Sequence, residues 1–487
     1  MVETAGGITD PTAYRQAVAR CRELAIVLPT FAELADPSSL DVQLLSQLIG
    51  IDPDAPDPRN LYRVHWYNGA DRRSLVPVPS HLVLPPELTG VPATIVVALA
   101  DRFPMIGAHK VLAAYACLAP RLVSGGFDPT SQRAVWPSTG NFCRGGAFDC
   151  ALLGCSAIAI LPEEMSRERF DWLRRIGATI IATPGCESNV KGIYDKCWEL
   201  KRDPANMIFN QFEEFGNPIF HYNVTGPAIE EALAGLDGRR LRAAAYVSAT
   251  GSAGTIAAGD FLKRANPGLK IVAAEALQCP TLLQNGFGAH RIEGIGDKHV
   301  PWVHNVRNTD AVAAIDDEDC MRIVRLFNEP AGRVHLASLG VARRELGGLA
   351  LIGISGVCNL LAAIKAAKYF EFGESDVIFT VFTDSMSLYR SRLAELRTQH
   401  GAYAPKDAIA DFAGCIAHQS TDHFRELSYP ERKAIHNLKY FTWVEQQGRT
   451  SEELNAQWDP GYWRTMFEEE AAHFERLIAA FNRQVGR

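Results

Sequence analysis

What the chain lacks narrows its role first. It has no Lys/Arg-rich block, and 49 basic against 56 acidic residues leave a formal charge of −7. The electrostatic footprint of a nucleic-acid binder is therefore missing. No uninterrupted apolar stretch reaches the roughly 18 residues that span a bilayer. The opening MVETAGGITDPTAYRQ has no basic segment leading into an apolar core, so neither a membrane anchor nor a secretory leader is expected and the reading is cytoplasmic. The 11 cysteines are odd in number and include no C-x-x-C pair, which argues against a disulfide framework or a structural zinc and suits reduced thiols. Cys143, Cys150 and Cys155 cluster, but in an apolar helix and the strand entry after it, the setting of buried thiols rather than ligands. No internal repeat or low-complexity tract is visible.

What is present is apolar residue in quantity. At 47% hydrophobic over 487 residues, the chain can fill more than one domain core. From about residue 134 short apolar strands alternate with helices: RAVW, then GAFDCALLGC, AIAIL, EEMSRERFDWLRRIG and ATIIAT. A second series runs from AAAYVSA through TGSAGTIAAGDFLKRA to KIVAAEA, and resumes at DVIFTVFTD. Alternation of this kind predicts parallel βαβ units, here in two α/β lobes. The first 85 or so residues, with DPDAPDP and VPVPSHLVLPP, read as a wrapping arm of loops and short helices. The segment from about 400 to the end reads as helical. Within it Phe467, Ala471, Phe474, Ile478 and Phe481 recur at steps of three and four, the seam of an amphipathic helix that buries either in the core or in a subunit interface.

Parallel sheets place ligands at the carboxyl ends of their strands, and two polar turns fall there. PSTGNFCRGG follows the RAVW strand, and GSAGT follows AAAYVSAT. Either turn can offer N–H groups and hydroxyls to an anion at a helix mouth, and either can be an ordinary strand-to-helix turn. The glycine spacing of GSAGT does not match the G-x-G-x-x-G of a dinucleotide fold.

With RFPMIGAHKV before them and NQFEEFGNPIFHYNVTGP, RIEGIGDKHVP, LIGISGVCNLLAAIKAAK and VFTDSMSLYRS after, these turns resemble, in order, the motifs of the fold type II pyridoxal-phosphate enzymes. That superfamily includes cysteine synthase, cystathionine β-synthase, threonine dehydratase and the tryptophan synthase β subunit, and the resemblance runs from about residue 75 to 395. It implies an α/β fold of two lobes with parallel-type twisted sheets flanked by helices, here with a helical C-terminal extension. The division it suggests is an arm and part of the large domain over 1–95, a smaller mobile domain over 96–235, a large cofactor-binding domain over 236–395, and the extension over 396–487.

The resemblance also implies roles. Lys110 matches the lysine that holds the cofactor aldehyde as a Schiff base and later moves protons at the substrate Cα. His109 lies near the cofactor phosphate in tryptophan synthase β, or is a packed imidazole. Gly251, Ser252, Ala253, Gly254 and Thr255 match the phosphate cup, with Ala253 in place of a common glycine, a change of little cost at negative φ and of real cost otherwise. Ser138, Thr139 and Gly140 match the loop for the substrate α-carboxylate, joined by Gln211, and Asn141 matches the partner of the cofactor's phenolic oxygen. Phe142, Cys143 and Arg144 depart from the small residues or histidine of many relatives; they reshape the side-chain pocket, or are a buried ring and a surface arginine. Ser355 matches the hydroxyl that meets the pyridine nitrogen, and fits equally as a helix N-cap. A hydroxyl there leaves the ring a weaker electron sink, favouring loss of a β-substituent over transamination. The expected activity is β-elimination or β-replacement on an amino acid through an aminoacrylate, with pyridoxal 5'-phosphate as cofactor, no metal, a small nucleophile as second substrate and a homodimeric assembly. The alternatives are an amino-acid dehydratase of the same fold or a catalytically decayed cofactor-binding protein.

Overall fold

The computed structural model describes residues 7–236, 241–296 and 298–486. Its smaller sheet consists of β3 (Arg133–Pro137), β4 (Ala157–Pro162), β5 (Thr179–Thr183) and β6 (Asn206–Ile208), ordered β5-β4-β3-β6 with every pair parallel. All of β4 is buried, as expected of a central parallel strand covered on both faces. The larger sheet takes β1 (His81–Leu84), β2 (Thr94–Leu99), β7 (Arg242–Ala249), β8 (Lys270–Ala276), β9 (Ala311–Ile315), β10 (Asp376–Phe382) and β11 (Phe424–Glu426) in the order β1-β2-β10-β7-β8-β9-β11. The five inner strands are parallel and the two edges antiparallel. The edge strands use the arm on one side and the C-terminal extension on the other. No helix among the described residues is long and apolar enough to cross a membrane.

Three expectations change in detail. TIVVAL becomes β2 of the large sheet, crossing the 95/96 division, because it pairs with β10 far along the chain. The stretch EEMSRERFDWLRRIG is helical only over Arg167–Arg175. Its first four residues form a turn, and the Ser166 N–H that would begin the helix is taken by the Glu293 carboxylate of the other lobe, at 3.1 Å. The C-terminal segment is not wholly helical, since Phe424–Glu426 pairs with β9.

The C-terminal seam resolves to core. Ile478 and Phe481 are fully buried and Phe474 is half-buried, in a helix over Ala471–Val485 that packs on the helix Lys110–Ser124 and on the first helix of the arm. Asn482 locks the arm with paired bonds, receiving the Leu28 N–H at 3.1 Å and donating to the Leu28 carbonyl at 2.8 Å. The last helix thus tightens the element that carries Lys110.

Candidate active site

Lys110 opens the helix Lys110–Ser124, and Asn141 opens the helix Asn141–Leu153. The two helices lie against each other because Gly145 has no side chain: a Cβ there would stand 2.7 Å from the Lys110 carbonyl oxygen. Both first turns border a cavity between the lobes, lined by His109, Lys110, Ser138, Thr139, Asn141 and Phe142 from one side, by Gly251, Ser252, Gly294, Ile295 and Thr383 from the other, and by Glu187, Gln211 and Phe212. Lys110 Nζ donates to Gln211 Oε1 at 2.8 Å and to Ser252 Oγ at 2.9 Å. Three motifs that are separate in sequence therefore meet at one amine. His109 is buried, and burial reinforced by the Lys110 charge lowers its imidazole to about 3, so it is neutral at ordinary pH. Its ring stands 5.4 Å from that of His221.

The carboxylate-type loop is held from both lobes. Ser138 N–H donates to Ile160 O at 2.9 Å, Ser138 Oγ accepts from Gly140 N–H at 3.0 Å, and Gly140 packs on the Arg169 side chain at φ +140°. Asn141 donates to Asp384 Oδ2 at 2.6 Å and accepts from Arg144 Nη1 at 3.0 Å. Phe142 is buried, as one alternative had it, but Arg144 is not a surface arginine. It is buried, donates to the Ile106 carbonyl at 3.0 Å, and lies 5.0 Å from the Trp172 ring. Burial, reinforced by Arg169, lowers its guanidinium to about 9. A buried cation thus braces Asn141.

At the cup, Gly251 and Ser252 reach the cavity, while Thr255 turns inward, its hydroxyl 2.8 Å from Ser248 Oγ. Ala253 is left-handed, φ +58°, a conformation that costs a non-glycine residue about 1–2 kcal/mol. Glycine at 254 is required instead by packing, since a Cβ would fall 2.1 Å from Asn217 Oδ1. Asn217, from the NP of the segment that carries Gln211, donates to Gln211 O and to Ser252 Oγ, both at 3.0 Å. Among the described residues no acceptor takes the backbone N–H groups of residues 251–255. Ser355 lies in the first turn of the helix Ile354–Tyr369, buried, its Oγ 2.6 Å from Thr383 Oγ1. Thr383, not Ser355, forms the cavity wall.

Several residues of the site escaped the sequence reading. Arg169 of the small lobe forms ion pairs with Glu293 and, at 3.7 Å, with Asp384 of the large lobe, and donates to Tyr389 Oη at 2.8 Å. Arg392 joins Glu293 and the Glu164 carbonyl. Burial pushes the Asp384 carboxyl up against the opposing pull of Arg169. This layer binds the lobes beside the cavity. Its usable signal was the TDS turn ending DVIFTVFTDS, which supplies Thr383 and Asp384; Arg169 and Glu187 carry no local signature.

A cup of open N–H groups, a lysine and the Thr383 hydroxyl border one cavity, with the Ser355 hydroxyl directly behind Thr383, and together they fit a phosphate, an aldehyde and a pyridine nitrogen. Comparison agrees: a family model described as "Pyridoxal-phosphate dependent enzyme" matches residues 79–384, and the chain belongs to that family. It is 33% identical over 258 residues to a cysteine synthase of Staphylococcus aureus (strain Mu50 / ATCC 700699), covering 53% of this chain and 75% of the relative. It is 31% identical over 258 residues to an O-acetylserine dependent cystathionine beta-synthase of Bacillus subtilis (strain 168), covering 52% and 75%. Among solved structures, a hydrogen sulfide-producing enzyme of Fusobacterium nucleatum superposes with a TM-score of 0.54 at 25% identity, covering 66% of this chain and 88% of that one. An O-acetyl serine sulfhydrylase isoform of Entamoeba histolytica, at 22% identity and a TM-score of 0.56 over 70% and 93%, shares the fold.

Proposed function

We propose that the protein is a pyridoxal-phosphate-dependent β-replacement or β-elimination enzyme acting on a β-activated L-serine through an aminoacrylate, in the manner of a cysteine synthase. The observation that carries the reading is the Lys110 amine, within 2.9 Å of both Gln211 and Ser252 at the mouth of the cup. Bound there, pyridoxal phosphate supplies an aldehyde that condenses with amines and a ring that takes up an electron pair from Cα. The chain's own residues do the rest. Lys110 Nζ holds the aldehyde between turnovers and carries the Cα proton. The N–H groups of Gly251–Thr255 and the Ser252 hydroxyl hold the phosphate, with neutral His109 nearby. Ser138, Thr139, Gly140 and Gln211 orient the α-carboxylate, Asn141 meets the phenolic oxygen, and Ser355 meets the pyridine nitrogen without forcing its protonation.

The reading includes a homodimer, tested by sedimentation, and a cytoplasmic setting, supported by 11 cysteines none of which is in a disulfide. O-acetyl-L-serine added to the holoenzyme should convert its visible band to an aminoacrylate absorbance, and borohydride reduction before substrate should label Lys110 on peptide mapping. A label on Lys191, Lys270 or Lys298, or a band unmoved by any β-substituted serine, would refute the assignment. Pyruvate and ammonia without added nucleophile would instead identify a deaminating dehydratase.

A further inference from the structure

The cavity carries a carboxyl that the proposed reaction leaves unused. Glu187 follows β5 in GCESN, is 1% exposed, and lines the cavity beside Thr139. Its Oε1 accepts the Gly294 N–H at 2.9 Å, and the neighbouring Thr139 hydroxyl favours the charged form of the carboxyl. Oε2 is buried and takes no hydrogen bond among the described residues, nor does Glu187 form an ion pair among them. Arg169, which draws the carboxyl down electrostatically, is engaged by Glu293, Ser166 and Tyr389. Burial outweighs that pull and pushes the Glu187 carboxyl well up. Apart from neutral His109, Lys110 and Glu187 are the ionisable side chains of the lining.

A carboxyl oxygen buried without a partner is unfavourable, and native structures keep one mainly where something else completes it. Here the missing partner is a hydrogen-bond donor arriving in the cavity. An N–H group entering the cavity would satisfy the free oxygen; a group without a donor would leave it unpaired. Sites built to bond an N–H or O–H group discriminate strongly against analogues that lack it.

Resting on the function proposed above, we infer that Glu187 is a specificity-determining residue for the incoming group: its Oε2 accepts a hydrogen bond from an amine nucleophile, so that the replacement makes a carbon–nitrogen bond in preference to a carbon–sulfur bond from hydrosulfide. In that step the lone pair of the neutral amine forms the N–Cβ bond. The electron pair of the Cα=Cβ bond is taken up at Cα as a C–H bond, with the proton that Lys110 Nζ carried away in the elimination. The surplus proton on the new nitrogen leaves to solvent as product departs; Glu187 orients the nitrogen through its N–H and takes up no proton in the step.

The test follows the aminoacrylate band formed from O-acetyl-L-serine in the holoenzyme. Its decay is timed in stopped flow against ammonia, ethylenediamine and sodium hydrosulfide, and the products are identified by mass. In the wild type, ethylenediamine should consume the band with saturation and yield a C–N product. The isosteric Glu187→Gln should lower the ratio of amine to hydrosulfide rate constants at least tenfold and abolish the saturation, and Glu187→Asp should give an intermediate ratio. Holoenzyme absorbance and melting temperature show whether each variant is folded, and a ratio within one variant is independent of its active fraction. Consumption by hydrosulfide alone in the wild type, or an unchanged ratio in folded Glu187→Gln or Glu187→Asp, would overturn the inference. Absence of the band in the wild type is a different result, and overturns the β-replacement reading itself.

Discussion

Two lysines mark the difference between the cavity and the brace behind it. Lys439, in the C-terminal extension, is fully buried and donates to the carbonyls of Trp302 and His304 at 2.8 and 2.7 Å and to Gln457 Oε1 at 2.7 Å. The Trp302 and Trp463 rings lie 5.8 and 5.6 Å from it. Its three polar partners are all acceptors inside the protein, two of them main-chain carbonyls fixed in the backbone, and burial pushes the proton affinity of the amine well down. Lys110 has side-chain acceptors, an amide and a hydroxyl, on segments that border a cavity. Side chains of that kind can release an amine and bond something else. The same residue type is thus a rivet in one place and a reagent in the other, according to whether its partners are fixed or exchangeable.

The brace also reaches the cavity from behind. Trp443 and Leu454 of the extension cluster with Val190, Tyr194, Phe212 and Trp302, and Phe212 is part of the cavity wall. Arg449 of the extension pairs with Glu213 at 3.2 Å, next to Phe212.

The comparison is broken most sharply by Lys110→Ala. It should lower turnover by three orders of magnitude or more, since it removes the tether and the proton carrier together, while the melting temperature of the apoprotein stays near that of the wild type. A Lys110→Ala protein that turns over normally would put the reagent elsewhere. Lys439→Met should do the opposite. Three acceptors lose a buried donor, at about 1–3 kcal/mol for each stranded group, so the melting temperature should fall by on the order of 10 °C. The borohydride label on Lys110 should remain in the protein that stays folded. A Lys439→Met protein as stable as the wild type would show that its acceptors are reached by water.

The smallest effect is in the acid response. His109 at the cavity and His299, His304 and His436 under the brace are all lowered to about 3, chiefly by burial. Between about pH 6.5 and 3 the unfolded chain binds protons that these imidazoles refuse when folded, so stability is lost as pH falls through that window, by about 1.4 kcal/mol per pH unit for each histidine. Glu275, raised to about 8, and Asp260, raised to about 7, both by burial, act the other way. Their contribution is complete below about pH 4 and is lost as pH rises through their folded values, which offsets two of the four histidines between pH 4 and 6.5. Replacing His304 by Asn should flatten the dependence of the urea midpoint on pH by one histidine's share between pH 4 and 6. An unchanged slope would mean that His304 titrates normally.

Much of the site was legible because its motifs are local. PSTGN and GSAGT each follow an apolar strand and open a helix, and AHK ends an apolar approach, so short segments carry both conformation and chemistry. Strands such as AIAIL and KIVAAEA were legible for the same reason. TIVVAL was not assigned because it sits outside the regular strand–helix alternation, between the antiparallel edge strand β1 and β10, nearly three hundred residues further on. Ala253 could be recognised as an exception, but its positive φ had to be seen. Arg144, Glu187 and Lys439 look in sequence like any solvated charge, and nothing in CRGG, CESN or NLKY tells otherwise.

By itself, then, the sequence determined the alternation of strand and helix, the chemistry gathered in the turns, and the family to which the chain belongs, since each depends on residues within a few positions of one another. Only the tertiary structure decided which charges are buried, which lobe bonds to which through Arg169, Glu293 and Asp384, that the extension packs behind Phe212, and that one carboxyl oxygen of Glu187 is buried without a hydrogen bond. Burial and partnership are properties of packing between elements distant in the chain, and a side chain's charge is given its energy and its use by the surroundings that packing creates.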